Sequence, residues 1–330
     1  MKGATRIILL LLSLLPGCGK DEVGENDIHV FPQGEIYRLR EVEDVNFSSP
    51  SWSPDGESIV CIGAESKRDP GSYQWDSINK SNLWLISADG AIAEVLLETP
   101  GRDCNPMWHP NPSLREIVFM SYRGTGDDTV YTIYRYNLDE DELTNTYEIN
   151  SQIDFPSYSH DGEHIVFRVP VEGGGLMRVP VEGGEAEMIE NLDGWGTVTR
   201  AECSPGEPVV AFYQVKDKAL NVFAISIYGG HPEQLTDYGL VGRVSPYGYS
   251  EPGNNYCLSW HKDGLRLVIT YLPDQDLIRR MWKADDVMSF ISRDGGEQLY
   301  LGGYLNSPNM SPEGTKIIGD GLWLMDLTKL

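Results

Sequence analysis

The chain has 330 residues, 40% of them hydrophobic and 23% charged, which is ample material for a core and too ordinary a charge content for wholesale disorder. Acidic residues outnumber basic ones 50 to 26, a net charge of −24. Such a surface repels phosphate backbones and anionic headgroups, which are bound through clustered Lys and Arg, so nucleic acid is a poor partner.

The amino end reads as a targeting segment. Lys2 and Arg6 form a basic start, residues 7–15 are apolar except for Ser13, and Leu15-Pro16-Gly17-Cys18 closes the run. About nine apolar residues are too few for a helix that crosses a bilayer, which needs roughly 20. The four closing residues resemble a bacterial lipoprotein signal, which implies cleavage after residue 17 and lipid attachment at Cys18. By the same resemblance, Gly19 rather than an aspartate after the cysteine favours the outer membrane. Removal of residues 1–17 leaves 50 acidic against 24 basic residues, a net of −26. Residues 18–33 are then a flexible tether.

The remaining length alone would suggest about two domains, but a repeat divides it differently. Pro50-Ser51-Trp52-Ser53-Pro54-Asp55-Gly56 returns around Trp108, Tyr158, Cys203, Trp260 and Met310, at intervals of 45 to 57 residues. Each anchor is followed by an apolar position (Ile59, Ile117, Ile165, Val210, Leu267, Ile317) and then by a bulky one (Trp84, Tyr134, Met177, Phe223, Phe290, Trp323). Asp-Gly and Gly-Gly turns separate the segments, so each unit reads as four short strands. The expected fold is all-β, a single six-bladed β-propeller of four-stranded blades over residues 34–330. Pro50, Pro106, Pro156 and Pro308 fit an inner strand, a sheet edge where a residue without N–H is tolerated. The sixth unit ends after its third strand, so residues 35–42 are expected to complete that blade and leave no open edge.

The P-x-W-S-P-D-G unit, with its apolar strand, its Leu-Trp strand and its Gly-Gly turn, resembles the repeats of TolB-type (WD40-like) six-bladed propellers. That resemblance implies a scaffold that binds other molecules rather than a particular chemistry.

Two groups of residues are candidates for binding. The polar residues leading into the inner strands, Asn46, Asp103, Asn105, Asp154, Arg200, Asn255 and Asn306, are expected to converge at the channel mouth, because radial symmetry points equivalent positions at one axis. Arg200 is the odd member, a cation that can hold a carboxylate or pair with Asp154 or Asp103. Longer connections at 63–81, 122–130, 191–198, 237–255 and 272–286 should collect on one face, and they carry Trp75, Trp195, Tyr247, Tyr249 and Trp282.

Catalytic patterns are weak. Gly248-Tyr249-Ser250-Glu251-Pro252 lacks the last glycine of a nucleophile elbow. His160 and His164 straddle an Asp-Gly turn, His109 and His261 occupy turn slots of the repeat, and residues 139–142 lack the spacing of a calcium loop. No metal or cofactor is called for, and Cys61, Cys104, Cys203 and Cys257 are read as buried free thiols. The expectation is a monomeric, lipid-anchored envelope protein that binds a protein or peptide through its long-loop face, touching the membrane only through its anchor. The alternative is a carbohydrate-binding or carbohydrate-processing propeller with its site at the channel mouth, which asks for a deep pocket holding two or more carboxylates or a metal cluster.

Overall fold

The computed structural model describes residues 35–65, 81–124, 128–170, 175–191, 198–216, 219–237, 244–245, 248–249, 258–271, 287–294, 299–301, 305 and 307–329. Six antiparallel four-stranded sheets form a β-propeller, with one further two-stranded hairpin. From inner to outer strand, blade 1 is Val45–Trp52, Ser58–Glu65, Asn82–Ser87 and Ala93–Leu97. Blade 2 is Arg102–Trp108, Glu116–Arg123, Val130–Asn137 and Glu142–Ile149, and blade 3 is Asp154–Tyr158, His164–Arg168, Gly175–Pro180 and Glu187–Asn191. Blade 4 comprises Val198–Cys203, Val209–Lys216, Ala219–Ser226 and Glu233–Gln234, and blade 5 Leu258–Trp260, Arg266–Tyr271, Val287–Ser292 and Leu299–Leu301. Asn309–Met310, Lys316–Gly319 and Trp323–Asp326 make the inner three strands of blade 6.

The fourth strand of blade 6 is Glu35–Arg38, in antiparallel register from Glu35 opposite Asp326 to Arg38 opposite Trp323. The amino end therefore closes the ring, as the sixth repeat's missing strand requires. The paired stretch is shorter than residues 35–42. Leu39 still donates its N–H to Leu322, but then the chain must cross from the outer edge of blade 6 to the inner strand of blade 1. Leu39 and Val42 pack against the core between those two blades during the crossing.

The core is divided among the six blade junctions. Trp52, Ile59 and Cys61 of blade 1 pack with Ile318, Leu322 and Leu324 of blade 6, and equivalent clusters fill the other five junctions. Every anchor lies on the side of its strand that faces the preceding blade, and Ile59, Ile117, Ile165, Val210, Leu267 and Ile317 are fully buried. Large-to-small changes at Trp52, Trp108 or Trp260 remove the wedge between two blades and cost about 3–5 kcal/mol.

The turn after each anchor is a second contact between blades. Its first residue is usually serine, whose hydroxyl caps the turn: Ser53 Oγ accepts from Ser58 N at 2.9 Å and Ser159 Oγ from His164 N at 3.0 Å. In blades 2 and 5 the slot holds His109 and His261, whose Nδ1 atoms accept from Asn111 N and Asp263 N. The ring of His109 lies against Gly162 in the turn of blade 3, and that of His261 against Gly314 in blade 6. Both glycines have left-handed φ, +74° and +73°, and a Cβ on them would stand 2.2 and 2.1 Å from the histidine Nε2.

Gly162→Ala should therefore lose more stability in urea unfolding than the about 1–2 kcal/mol of a left-handed alanine. Against a His109→Ser background, which removes the ring, the same change should cost only that conformational part.

Candidate functional site: the central channel

The inner strands line the axis and carry one irregularity in common. The third residue before the anchor has a left-handed φ in Ser49 (50°), Asn105 (51°), Phe155 (54°) and Ser307 (47°). In blades 1 to 3 the ladder shifts register there, between Ser48 and Ser51, Cys104 and Met107, and Asp154 and Ser157, and blade 4 shifts between Val198 and Ala201. These are β-bulges, and Pro50, Pro106 and Pro156 stand inside them, where no ladder N–H is needed. An extra residue reverses the alternation of side chains beyond it. Ser49, Asn105, Phe155 and Arg200 consequently share a void of about 20 Å³ within the channel, room for about one water molecule.

The inner strands also begin earlier than the repeat suggests, so Asn46, Asp103, Asn105, Asp154 and Arg200 lie within them. Only Asn105 and Arg200 of these five line the void. Asn46 is exposed on its strand. Asp103 is fully buried, and its carboxylate accepts from Thr99 Oγ1 at 2.7 Å. Asp154 forms an ion pair with Arg168, and Gln152 donates to it. Arg200 and Arg168 both lie over the ring of Phe155, at 5.8 and 5.7 Å. The Arg200 charge favours the ionised forms of Glu202 and Asp320, against the burial that raises both. Asn255, Asn306, Trp75, Trp195, Tyr247, Trp282 and Cys18 lie outside the described residues, while Tyr249 is described only in backbone, as part of the hairpin of Val244–Ser245 with Gly248–Tyr249.

A belt of side chains just below the bulges carries most of the channel's chemistry. In four of the six blades the residue before the anchor faces the following blade and accepts from the N–H of that blade's anchor, while Ser51 accepts from the Trp108 indole N–H through its backbone carbonyl. Ser157 Oγ accepts from Cys203 N at 3.1 Å, Glu202 Oε1 from Trp260 N at 3.0 Å, Ser259 Oγ from Met310 N at 3.2 Å and Asn309 Oδ1 from Trp52 N at 2.8 Å. The members also join one another, since Asn309 Nδ2 donates to Ser259 Oγ and Ser259 Oγ donates to Glu202 Oε1, both at 3.3 Å. Met107 has no oxygen to offer; the junction it faces is held by Tyr158, whose hydroxyl donates to Glu116 at 2.6 Å. Sequence reasoning overlooked this belt, although a polar residue directly before an apolar anchor in five of six repeats is its signature.

Below the belt, toward the tight turns, the channel widens into a cavity of about 570 Å³. Its walls are the anchors and the turn prolines, and its charged residues are Asp55, Glu202, Glu313 and Lys262. Asp55 Oδ1 accepts from Ser53 Oγ and Glu57 N, and Glu313 accepts from Thr315, so both carboxylates serve their own turns. Glu202 is different. It lines both the void and the cavity, is 5% exposed, and its Oε2 has no hydrogen-bond partner. Burial pushes its carboxyl up to about 7, against the pull of Arg200 and the donors at Oε1. Burial likewise holds His109 and His261 below the ordinary histidine value, and raises Cys104 to about 11 and Cys203 to about 12, so both thiols stay protonated. Cys61, Cys104 and Cys203 are free, and Cys257 lies outside the described residues. Among the described residues no three His, Cys, Asp or Glu side chains group as metal ligands.

The arrangement can be set beside known structures. TolB from Acinetobacter baumannii superposes with a TM-score of 0.57 at 14% identity, covering 86% of this chain and 62% of that one. The fold is that of a TolB-type six-bladed propeller. Oligogalacturonate lyase in complex with manganese gives 0.52 at 13% identity, covering 89% of this chain and 93% of that one. The oligogalacturonate lyase of Vibrio parahaemolyticus gives 0.53 at 12%, over 87% and 79%. The propeller spans less than two thirds of the A. baumannii TolB chain. No protein-family model and no curated protein matches the sequence.

Two outcomes follow from the belt. Asn309→Ala leaves the Trp52 N–H buried without an acceptor and should lower unfolding stability by about 1–3 kcal/mol. Glu202 holds its proton more tightly in the folded state, so its contribution is full at or below the ordinary carboxyl value of 4.5 and is lost as pH rises through about 7. Glu202→Gln removes that loss. The stability of the variant relative to wild type should rise by about 2.5 kcal/mol between about pH 5 and pH 8. His109 and His261 act in the opposite sense, losing stability as pH falls below about 6.5, but they are common to both proteins and cancel.

Proposed function

We propose that the protein is a non-enzymatic binding scaffold of the bacterial envelope, exported, held to the outer membrane by lipid on Cys18, and engaging a protein or peptide through its long-loop face. The observation that carries the reading is how the channel's polar residues are used. Ser157, Ser259 and Asn309 hold neighbouring blades together, Asp103 is held by Thr99 of the connection that precedes its blade, Asp154 by Arg168 of its own blade, and Asp55 and Glu313 brace turns. No nucleophile and base are assembled among the described residues. Among the described residues, the void at the bulges is about 20 Å³ with Glu202 as its one carboxylate, too small for a sugar ring. The strand ends that flank residues 66–81, 238–257 and 272–286 all lie on the side opposite the tight turns. These connections carry Trp75, Tyr247, Tyr249 and Trp282, aromatic residues of the kind that anchor protein interfaces.

Attachment is tested by Cys18→Ser, which should move the protein from the membrane fraction to the soluble fraction and remove the lipid mass from its amino terminus. The binding face is tested by affinity capture from envelope extracts. A partner taken by wild type and by Lys262→Ala on the opposite face, but lost by the Tyr249→Ala, Trp282→Ala double variant, supports the reading. Retention of every partner by the double variant contradicts it.

A further inference from the structure

The cavity on the tight-turn side is a second and separate feature, and it does not depend on the loop-face reading. Its floor holds a buried carboxylate oxygen, Glu202 Oε2, without a partner. The other carboxylate oxygen is held by the Trp260 N–H and the Ser259 hydroxyl, so the side chain cannot swing away to satisfy itself. A buried acceptor left open in this way is destabilising unless something donates to it. Polar groups of this kind persist where a ligand uses them.

The surroundings define what that donor should be. Trp52, Trp108, Tyr158 and Trp260 line the cavity and give it apolar wall on which an alkyl group can rest. Three carboxylates, Asp55, Glu202 and Glu313, line the cavity with one cation, Lys262, which is exposed like Asp55 and Glu313, while Arg200 acts on Glu202 from the side of the void. The protein's charge of −24 adds a long-range field of the same sign. A volume of about 570 Å³ admits an amino-acid side chain or a small organic molecule.

We infer that the tight-turn mouth of the channel is a binding site for an organic cation, a protonated amine or a guanidinium, whose N–H groups donate to Glu202 Oε2 while its alkyl part rests on the ring of anchor side chains. The cation comes either as a free small molecule or as the Lys or Arg side chain of a peptide, and the two sources share this chemistry.

The test is titration of the whole protein with n-butylammonium, n-butylguanidinium and the peptide acetyl-Gly-Arg-Gly-amide, with n-butanol as the neutral control. Heat and tryptophan fluorescence report binding, because three indoles line the cavity. Wild type should bind at least one of the cations saturably and n-butanol at least about tenfold more weakly, a comparison that needs no variant. Glu202→Gln, checked for native circular dichroism, should lose about tenfold or more in cation affinity, while Lys262→Ala should keep or improve it. Binding of the small cations assigns the site to a free amine or guanidine, and binding of the peptide alone assigns it to a basic side chain. Absence of saturable binding by every cation, equal affinity for n-butanol, or unchanged affinity in Glu202→Gln would overturn the inference.

Discussion

The inner strand of a propeller blade is a sheet edge, and half of its backbone N–H groups have no ladder partner. In this protein the side chain just before the anchor supplies the missing acceptor across four of the six blade junctions. Asn309 serves Trp52, Ser157 serves Cys203, Glu202 serves Trp260 and Ser259 serves Met310. One bond thus satisfies an edge and fixes the spacing of two blades. The anchors wedge each junction from the same strand, on its other face, so packing and hydrogen bonding are set by adjacent residues. The clasp of Glu35–Arg38 on Trp323–Asp326 completes the ring on which this mutual support depends.

The belt also separates two differently shaped regions of the channel among the described residues. Above it, the bulges turn Phe155, Arg200 and Asn105 inward and narrow the passage. Below it, tight turns and prolines leave a wide, aromatic-walled cavity. Glu202 sits at the boundary and belongs to both. Among the belt residues it carries the one ionisable group, bonded through one oxygen and open at the other. A serine or asparagine could make the same junction without the penalty of a buried carboxylate. The choice of glutamate therefore points to a role for its second oxygen.

Much of the fold was legible because the repeat is periodic in physical terms. An aromatic or apolar anchor, an apolar strand and a glycine turn recur at blade length, and each maps onto a strand or turn of the folded ring. Closure was legible for the same reason, since a blade lacking its fourth strand predicts where that strand must come from. The channel was less legible. Asn46, Asp103 and Asp154 were assigned to the axis by radial symmetry, as polar residues leading into the inner strands, but those strands begin earlier and bulge at Ser49, Asn105 and Phe155, and Phe155 rather than Asp154 lines the void. A bulge depends on how two strands pair and leaves little trace in one of them beyond the proline that follows. Glu202 was visible in its repeat, yet its importance arises from a neighbour 58 positions along the chain.

The central claim, that side chains before the anchors hold the next blade's backbone, is tested most directly by residue-resolved amide hydrogen exchange of the native protein. The amides of Trp52, Cys203, Trp260 and Met310 should exchange slowly, although they lie on a strand edge. In Ser157→Ala the Cys203 amide should lose protection while Trp52 and Trp260 keep theirs. Rapid exchange of all four amides in the wild-type protein, or unaltered protection of Cys203 in the variant, would contradict the account.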